Sequence, residues 1–107
     1  MPFDSQYTPE SITLEEVTHS QGPLLLEFGT NWCGFCQAAQ PHIKAAMESY
    51  PGVEHVKVED GKGRRLGRAF GVKLWPSLIF LKDGKEITRL VRPDNRSDIE
   101  DSLTKIQ

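Results

Sequence analysis

The chain has 107 residues, of which 37% are hydrophobic and 26% are charged, and its formal net charge is −2. This length suits one domain with a modest core, so we expect a single domain over residues 1–107 that needs no cross-link to fold. The weak negative charge gives no general attraction for nucleic acid or for an anionic membrane, and neither is expected as a partner.

The sequence contains no segment typical of export or of membrane insertion. Residues 1–23 carry four acidic residues and three prolines but no apolar run, which is unlike a secretory signal. The longest apolar runs, residues 24–26 and 78–81, have the length of strands and are too short to span a bilayer. We therefore expect a cytoplasmic location.

The first part of the chain predicts an arm, a helix and a strand. Residues 1–10 carry two prolines and little periodicity, which indicates a loose N-terminal arm. A short helix is predicted next, capped by Ser11 or Thr13 and ending near His19. The nearly continuous apolar run of residues 24–28 is typical of a strand that is covered on both faces.

The rest of the chain continues to alternate between helices and strands. The predicted elements are a helix from Cys33 to about Tyr50, a strand over residues 53–58, a helix over residues 64–70, strands over residues 77–82 and 86–91, and a helix from Ser97 or Asp98. A turn at Asp83-Gly84 joins the two late strands as a hairpin. Two parallel strands followed by an antiparallel hairpin predict an α/β fold, with a central mixed β-sheet flanked by helices on both faces.

The two cysteines of the chain, Cys33 and Cys36, lie in the segment Trp32-Cys33-Gly34-Phe35-Cys36. A disulfide that closes so small a loop removes little entropy from the unfolded chain, so this pair is a poor structural cross-link. It is better suited to open and close during a reaction. A zinc site is the alternative, but zinc needs two further ligands and the three histidines stand at no standard spacing. No metal site is expected.

Several features occur together in the order and spacing of one family. They are Trp32-Cys33-Gly34-x-Cys36 after an apolar strand, Pro41 in the following helix, Phe70-Gly71-Val72, Pro76 before a strand, and Asp83-Gly84-Lys85 in the hairpin turn. Over about residues 11–106 the chain resembles the thioredoxin family. The resemblance implies the thioredoxin fold and a monomeric protein-disulfide oxidoreductase without a bound cofactor. Its expected partners are disulfide-containing protein substrates and a thioredoxin-reductase-like or thiol electron donor.

Disulfide exchange requires an attacking thiolate and a second thiol close to it. Cys33 stands at the predicted N-terminus of a helix, where free N–H groups and the helix dipole favour negative charge, so we predict that it is the nucleophile. Cys36 follows one turn later, is expected to be more buried, and is predicted to be the resolving cysteine. The resemblance implies that Pro76 follows a cis peptide bond and faces Cys33 across the site.

Glu27 is the one carboxylate in the apolar run that precedes the cysteines. We expect it to be buried, and burial raises the pKa of a carboxyl group and makes it a candidate proton carrier. Thioredoxins carry a buried acid, usually Asp, at the matching position behind the second cysteine, so the resemblance implies a role in proton transfer. The alternatives are that Glu27 faces solvent at a strand edge or pairs with Lys57.

Residues around the cysteines are expected to contact the substrate, namely Trp32, Gly34, Phe35 and Trp75. Trp32, Phe35 and Trp75 together predict an aromatic rim that faces a partner, although Trp32 buried in the core is an alternative. Phe35 stands where thioredoxins usually have Pro. Its free N–H is expected to stabilise the Cys33 thiolate, which would make the protein less reducing than an ordinary thioredoxin.

Two further positions depart from the family pattern. Gly29 replaces an aromatic residue and is expected to loosen the packing or to open a groove. Arg92 stands where a glycine is usual and is expected either to obstruct the substrate groove or to recruit an acidic partner.

The leading interpretation is a thiol–disulfide oxidoreductase that reduces protein disulfides through Cys33 and Cys36. One alternative is a client-specific thioredoxin-like oxidant or isomerase. The other is a non-catalytic binding module that has kept the thioredoxin fold.

Overall fold

The structure is a computed structural model in which residues 4–9 and 11–107 are described. Its elements are α1 (Leu14–Thr18), β1 (Pro23–Gly29), α2 (Gly34–Met47), β2 (Glu54–Glu59), α3 (Arg65–Ala69), β3 (Ser77–Lys82), β4 (Lys85–Val91) and α4 (Arg96–Ile106). Their order is the predicted one. None of the helices in the described part of the chain is long and apolar enough to cross a membrane.

The strands form one mixed sheet in the order β2-β1-β3-β4. β1 pairs in parallel with β2, which lies after the crossover helix α2, and β1 pairs antiparallel with β3. β3 and β4 form the antiparallel hairpin, and its turn residues Asp83 and Gly84 have φ angles of 52° and 80°. Positive φ at both central residues is the signature of the tight turn that matches strand twist. The mixed sheet predicted from the sequence is confirmed.

Apolar residues cover both faces of the sheet. One cluster packs Leu25 of β1 against apolar residues of α2 and α4. The other packs Leu24 and Leu26 of β1 against residues of α1 and α3. Because successive strand residues point to opposite faces, Glu27 and Gly29 share the face of Leu25 and lie under α2. This alternation sets the position of the functional site.

Side-chain caps define the helix ends. Thr13 caps α1 in a reciprocal pair: its Oγ1 accepts from the N–H of Glu16, whose carboxylate accepts from the N–H of Thr13. At α4 the cap is Asn95, whose Oδ1 accepts from the Asp98 N–H at 2.8 Å. The last helix therefore begins at Arg96, slightly earlier than the sequence predicted.

Residues 4–9 do not form the loose arm that was predicted. Thr8 makes a parallel bridge to Val58, at the outer edge of β2, and the side chain of Tyr7 is only 4% exposed. The prediction failed because a short stretch with few apolar residues shows no periodicity, while the strand that holds it lies about fifty residues away in sequence. The other residues of the predicted arm, residues 1–3 and 10, lie outside the described part of the chain.

Candidate active site

The cysteine pair lies at the N-terminus of α2. Cys33 is the N-cap residue, with φ −77° and ψ 125°, and its Sγ accepts a hydrogen bond from the Cys36 N–H at 3.3 Å. Cys33 is 9% exposed and Cys36 is fully buried, so Cys33 carries the outer sulfur. The N-terminus of a helix carries a partial positive charge, which favours negative charge at the Cys33 sulfur. The amide that caps the sulfur belongs to Cys36, so the contact predicted for the Phe35 N–H is not the one observed.

The inner sulfur, that of Cys36, is enclosed by Thr30, Gly29 and Tyr7. The backbone amide of Thr30 and the hydroxyl of Tyr7 both interact with it. Burial, followed by the hydrogen bond with Cys33, raises the pKa of the Cys36 thiol to about 12. Cys36 is therefore a protonated thiol near neutral pH and needs a base before it can attack.

Gly29 has no side chain and leaves space that the Tyr7 ring occupies. A Cβ on Gly29 would lie 2.6 Å from Cys36 Sγ and 2.9 Å from both Cζ and the hydroxyl oxygen of Tyr7. The aromatic group that the sequence lacks at position 29 is thus supplied from the N-terminal segment. The expectation that Gly29 loosens the packing or opens a groove is wrong, because Tyr7 fills the space.

Glu27 is fully buried behind the cysteines, as predicted, and does not face solvent at a strand edge. Its Oε1 lies 2.8 Å from His55 Nε2. Its Oε2 accepts from the Gln40 side-chain amide at 2.8 Å and from the Tyr7 hydroxyl. Since His55 Nδ1 accepts from the Asp4 N–H at 3.0 Å, its proton lies on Nε2 and is donated to Glu27. The carboxylate therefore accepts from three side chains.

These partners reverse the expected sign of the Glu27 pKa shift. Burial raises the pKa, as predicted, but the hydrogen bond from His55, the charge of Lys57 and the hydrogen bond from Tyr7 together outweigh burial and lower it. The prediction of a raised pKa is wrong because the sequence does not show which side chains face Glu27. The structure indicates an ionised carboxylate near neutral pH, in the form that can accept a proton.

His55 and Lys57, which both lower the pKa of Glu27, lie on β2 and make its face toward α2 polar. The parallel register places Lys57 opposite Glu27 and His55 two positions before it, and both side chains are buried. Lys57 Nζ donates to Gln40 Oε1 at 2.7 Å and lies 4.2 Å from the centre of the Tyr7 ring. Burial lowers the pKa of Lys57, although the nearby carboxylates oppose this shift.

Lys57 was predicted only as an alternative partner of Glu27, and His55, Gln40 and Tyr7 were not predicted as partners. One signal was available. Polar residues at positions 55 and 57 alternate with the valines of a strand that was predicted to pair beside Glu27. Their burial follows from pairing in register with β1, and no local pattern reveals it.

A small cavity adjoins the inner sulfur. It has a volume of about 180 Å³ and is lined by residues that include Tyr7, Thr30, Cys36, Gln40 and Lys57. This volume has room for a few water molecules. A larger cavity of about 730 Å³ lies between residues 12–14 and α3, and none of its lining residues belongs to the cysteine site.

Aromatic side chains surround the outer sulfur at the surface. Trp32 is 73% exposed, and its ring meets the half-buried Trp75 ring edge-on with 5.8 Å between centroids. Phe35 is 57% exposed, and Gly34 beside it is also exposed. The alternative of a core position for Trp32 is excluded, and an apolar surface borders the cysteines.

The Trp75–Pro76 peptide bond is cis, as the family resemblance implied. Arg92 lies across this segment: its N–H donates to the Pro76 carbonyl at 2.9 Å and its Nε–H to the Trp75 carbonyl at 2.8 Å. Its guanidinium carbon lies 3.9 Å from the centre of the Phe35 ring. The Arg92 side chain therefore covers the Trp75 carbonyl and one face of the Phe35 ring, beside the cysteines.

The arrangement contains the groups that thiol–disulfide exchange needs. An outer sulfur lies at a helix N-terminus, an inner thiol follows one turn later, and an ionised carboxylate lies behind them. Among residues 4–9 and 11–107, no three His, Cys, Asp or Glu side chains are grouped so that they could hold a metal ion.

Comparison with known proteins gives a consistent result. The thioredoxin family model matches residues 7–105. The structure of thioredoxin 2 from Pseudomonas aeruginosa PAO1 in its reduced form matches with a TM-score of 0.86 and 49% identity, covering 97% of this chain and 96% of that chain. The thioredoxin of Chlamydia muridarum is 32% identical over 88 residues, 82% of this chain and 86% of that relative. That of Porphyra purpurea is 28% identical over 102 residues, 94% of each chain. The chain belongs to the thioredoxin family and is a thiol–disulfide oxidoreductase.

Proposed function

We propose that the chain reduces protein disulfides, with Cys33 as the nucleophile and Cys36 as the resolving cysteine. The observation that carries this assignment is the asymmetry of the two sulfurs. Cys33 Sγ caps a helix and is the more exposed, whereas Cys36 is buried and has a pKa raised to about 12. Attack requires a thiolate, and the helix N-terminus favours one at Cys33.

In the first step the Cys33 thiolate attacks one sulfur of the substrate disulfide. A bond forms between Cys33 Sγ and that sulfur, the substrate S–S bond breaks, and the other substrate sulfur leaves as a thiolate that takes up a proton. In the second step Cys36 loses its proton toward Glu27 and attacks Cys33 Sγ. The second substrate sulfur leaves, and two electrons have passed from the dithiol to the substrate.

We propose that the exposed surface around the outer sulfur receives the substrate, through Trp32, Gly34, Phe35 and Trp75, with Pro76 beside them. The support is the exposure of Trp32, Gly34 and Phe35 and the edge-on contact of the two tryptophans. Exposed aromatic side chains are typical of surfaces that bind partners. Arg92 lies on this surface and restricts access to the Trp75 carbonyl.

The oxidised pair needs an electron source. We propose a thioredoxin-reductase-like protein or a thiol pool, and a single-domain monomer that works in the cytoplasm without a bound cofactor. Membership of the thioredoxin family supports this proposal. Reduction of the oxidised chain by a purified thioredoxin reductase with NADPH tests the donor.

Turnover of a disulfide-bonded test protein such as insulin, with dithiothreitol as the electron source, tests the function. We expect the wild-type chain to accelerate reduction and Cys33→Ser to abolish the acceleration. Tyr50→Phe, which removes a hydroxyl bonded to Thr104 far from the site, serves as the control and should keep full activity. Equal activity of Cys33→Ser and wild type would contradict the assignment. A binding module would show no turnover in any variant.

The redox midpoint of the pair tests the direction of electron flow. A reductase should have a potential near that of reducing thioredoxins, about −270 mV, whereas an oxidant or isomerase would lie near −120 to −180 mV. A value in the higher range would favour the oxidant or isomerase alternative.

A further inference from the structure

We propose that the hydroxyl of Tyr7 relays the proton between the Cys36 thiol and the Glu27 carboxylate during the second step, from a position that Gly29 leaves open. The inference rests on the proposed function and extends it, because it names the group through which the inner thiol is activated.

The Tyr7 hydroxyl contacts both groups. It donates to Glu27 Oε2, and it also interacts with the Cys36 sulfur. The hydroxyl oxygen and Cys36 Sγ both lie within 3 Å of the point where a Cβ of residue 29 would stand. Gly29 is therefore the residue that lets ring and sulfur share this space.

Neighbouring side chains fix the phenol and the carboxylate. Lys57 Nζ lies 4.2 Å from the ring centre, and the Gln40 side-chain amide donates to Glu27 Oε2 and reaches the Tyr7 hydroxyl at 3.4 Å. The main chain of Tyr7 is held as well, because its N–H donates to Asn31 Oδ1 at 3.0 Å and its carbonyl accepts from Asn31 Nδ2 at 3.1 Å. The hydroxyl is thus held in place before the reaction, as efficient proton transfer requires.

The relay moves two protons. The Cys36 S–H proton moves to the Tyr7 oxygen while the proton of the Tyr7 hydroxyl moves to Glu27 Oε2. Cys36 becomes a thiolate, Glu27 becomes a neutral carboxyl group, and Tyr7 is a neutral phenol before and after. When the thiolate attacks Cys33 Sγ, the substrate sulfur leaves with the electron pair of the broken bond. Glu27 later returns its proton to solvent.

The raised pKa values of Cys36 and Tyr7 indicate that the two proton transfers are concerted, and because the lowered pKa of Glu27 makes it a weak proton acceptor, attack on Cys33 Sγ must consume the Cys36 thiolate as it forms. With a Cys36 pKa of about 12, only about one molecule in 10⁵ would carry the thiolate unaided at pH 7. Burial, the charge of Glu27 and the hydrogen bond to Glu27 raise the pKa of Tyr7 far above its ordinary value, so the phenolate is not an intermediate. The charged and titratable groups that face this relay are Cys33, Glu27, His55, Lys57 and Asp4.

Reaction with the chromogenic disulfide 5,5′-dithiobis(2-nitrobenzoate) separates the two steps. Attack by Cys33 releases a first nitrothiolate, and attack by Cys36 on the mixed disulfide releases a second. The variant Tyr7→Phe removes the hydroxyl and keeps the ring. Tyr50→Phe removes the same atom from a tyrosine that bonds to Thr104, and it is the matched control.

We expect Tyr7→Phe to leave the first release unchanged and to slow the second by about tenfold or more near pH 7, within the range of general acid–base catalysis. The deficit should shrink as the pH rises toward about 9, because hydroxide can then deprotonate Cys36 through the adjoining cavity. Tyr50→Phe should match the wild type in both steps.

Three results would overturn the relay. They are an unchanged second step in Tyr7→Phe, an equal slowing of both steps, and a deficit that does not change with pH, since the last two indicate a structural role. If Tyr7→Phe folds poorly, Glu27→Gln provides a second variant, and it should slow the same step. Failure of the proposed function would look different, because the wild-type chain itself would then release no second nitrothiolate.

Discussion

The close approach around Gly29 predicts that Gly29→Ala destabilises the chain. The added Cβ would lie 2.6 Å from Cys36 Sγ and 2.9 Å from both Cζ and the hydroxyl oxygen of Tyr7, in a buried position. Contacts this short force the neighbours to move, and overpacking of a buried site costs about 1–3 kcal/mol. At about 4 °C per kcal/mol for a domain of this size, Tm should fall by about 4–12 °C.

Urea unfolding under reducing conditions, followed by circular dichroism, measures this cost. Gly52→Ala is the matched control, because a Cβ there meets no atom within 4 Å. Its stability should be unchanged or higher by up to about 1 kcal/mol, since alanine restricts the unfolded chain. A Gly29→Ala midpoint equal to that of the wild type, with the same slope, would refute the packing described for Tyr7 and Cys36.

A double-mutant cycle tests whether Tyr7 is the neighbour that the Cβ added at position 29 displaces. In a Tyr7→Leu background the ring atoms next to position 29 are gone, so Gly29→Ala should cost less than it does alone, by about 0.5 kcal/mol or more. Strictly additive costs would show that Tyr7 does not occupy this space.

Three further predictions concern the site. Arg92→Gly removes the guanidinium that covers the Phe35 ring and the Trp75 carbonyl. Reduction of a protein disulfide should therefore accelerate about two- to fivefold, which corresponds to the free energy of one exposed cation–π contact, while the rate with a small disulfide stays constant. Equal effects on both substrates would argue against obstruction by Arg92. Phe35→Pro restores the residue that is usual in thioredoxins between the two cysteines, and residues there affect the relative stability of the dithiol and the disulfide, so the redox midpoint should fall below that of the wild type; an unchanged or higher value would show that position 35 does not set the potential. The pKa of Glu27 is lower in the folded than in the unfolded chain, so the ionised carboxylate contributes its full stability above the unfolded pKa of about 4.3, and this contribution disappears as the pH falls through the folded pKa. The stability of Glu27→Gln, measured by urea unfolding at several pH values, should lack this acid-dependent loss. Persistence of the full loss in Glu27→Gln would contradict the lowered pKa of Glu27.

Much of the fold could be predicted because its signals are local. The apolar run of residues 24–28, the turn at Asp83-Gly84 and the helical spacing after Cys33 each define an element without reference to the rest of the chain. The cysteine pair could be predicted for the same reason, since both residues lie in one short segment that ends a strand and begins a helix.

The groups behind the cysteines could not be predicted in this way. Tyr7, His55 and Lys57 reach Glu27 only through the register of β2 and the path of residues 4–9 along its edge, and both depend on contacts between distant segments. The sign of the Glu27 pKa shift was missed for this reason. Burial was visible in the sequence, but the hydrogen-bond donors that outweigh it were not.

The central claim is that Cys33 attacks first and Cys36 resolves, and trapping of the mixed disulfide tests it most directly. Each single variant, Cys33→Ser and Cys36→Ser, is incubated with a disulfide-bonded protein, and the adduct is mapped by mass spectrometry of its peptides. We predict that Cys36→Ser accumulates a substrate disulfide on Cys33 and that Cys33→Ser accumulates none. An adduct that forms on Cys36 of Cys33→Ser as fast as the one on Cys33 would contradict the account.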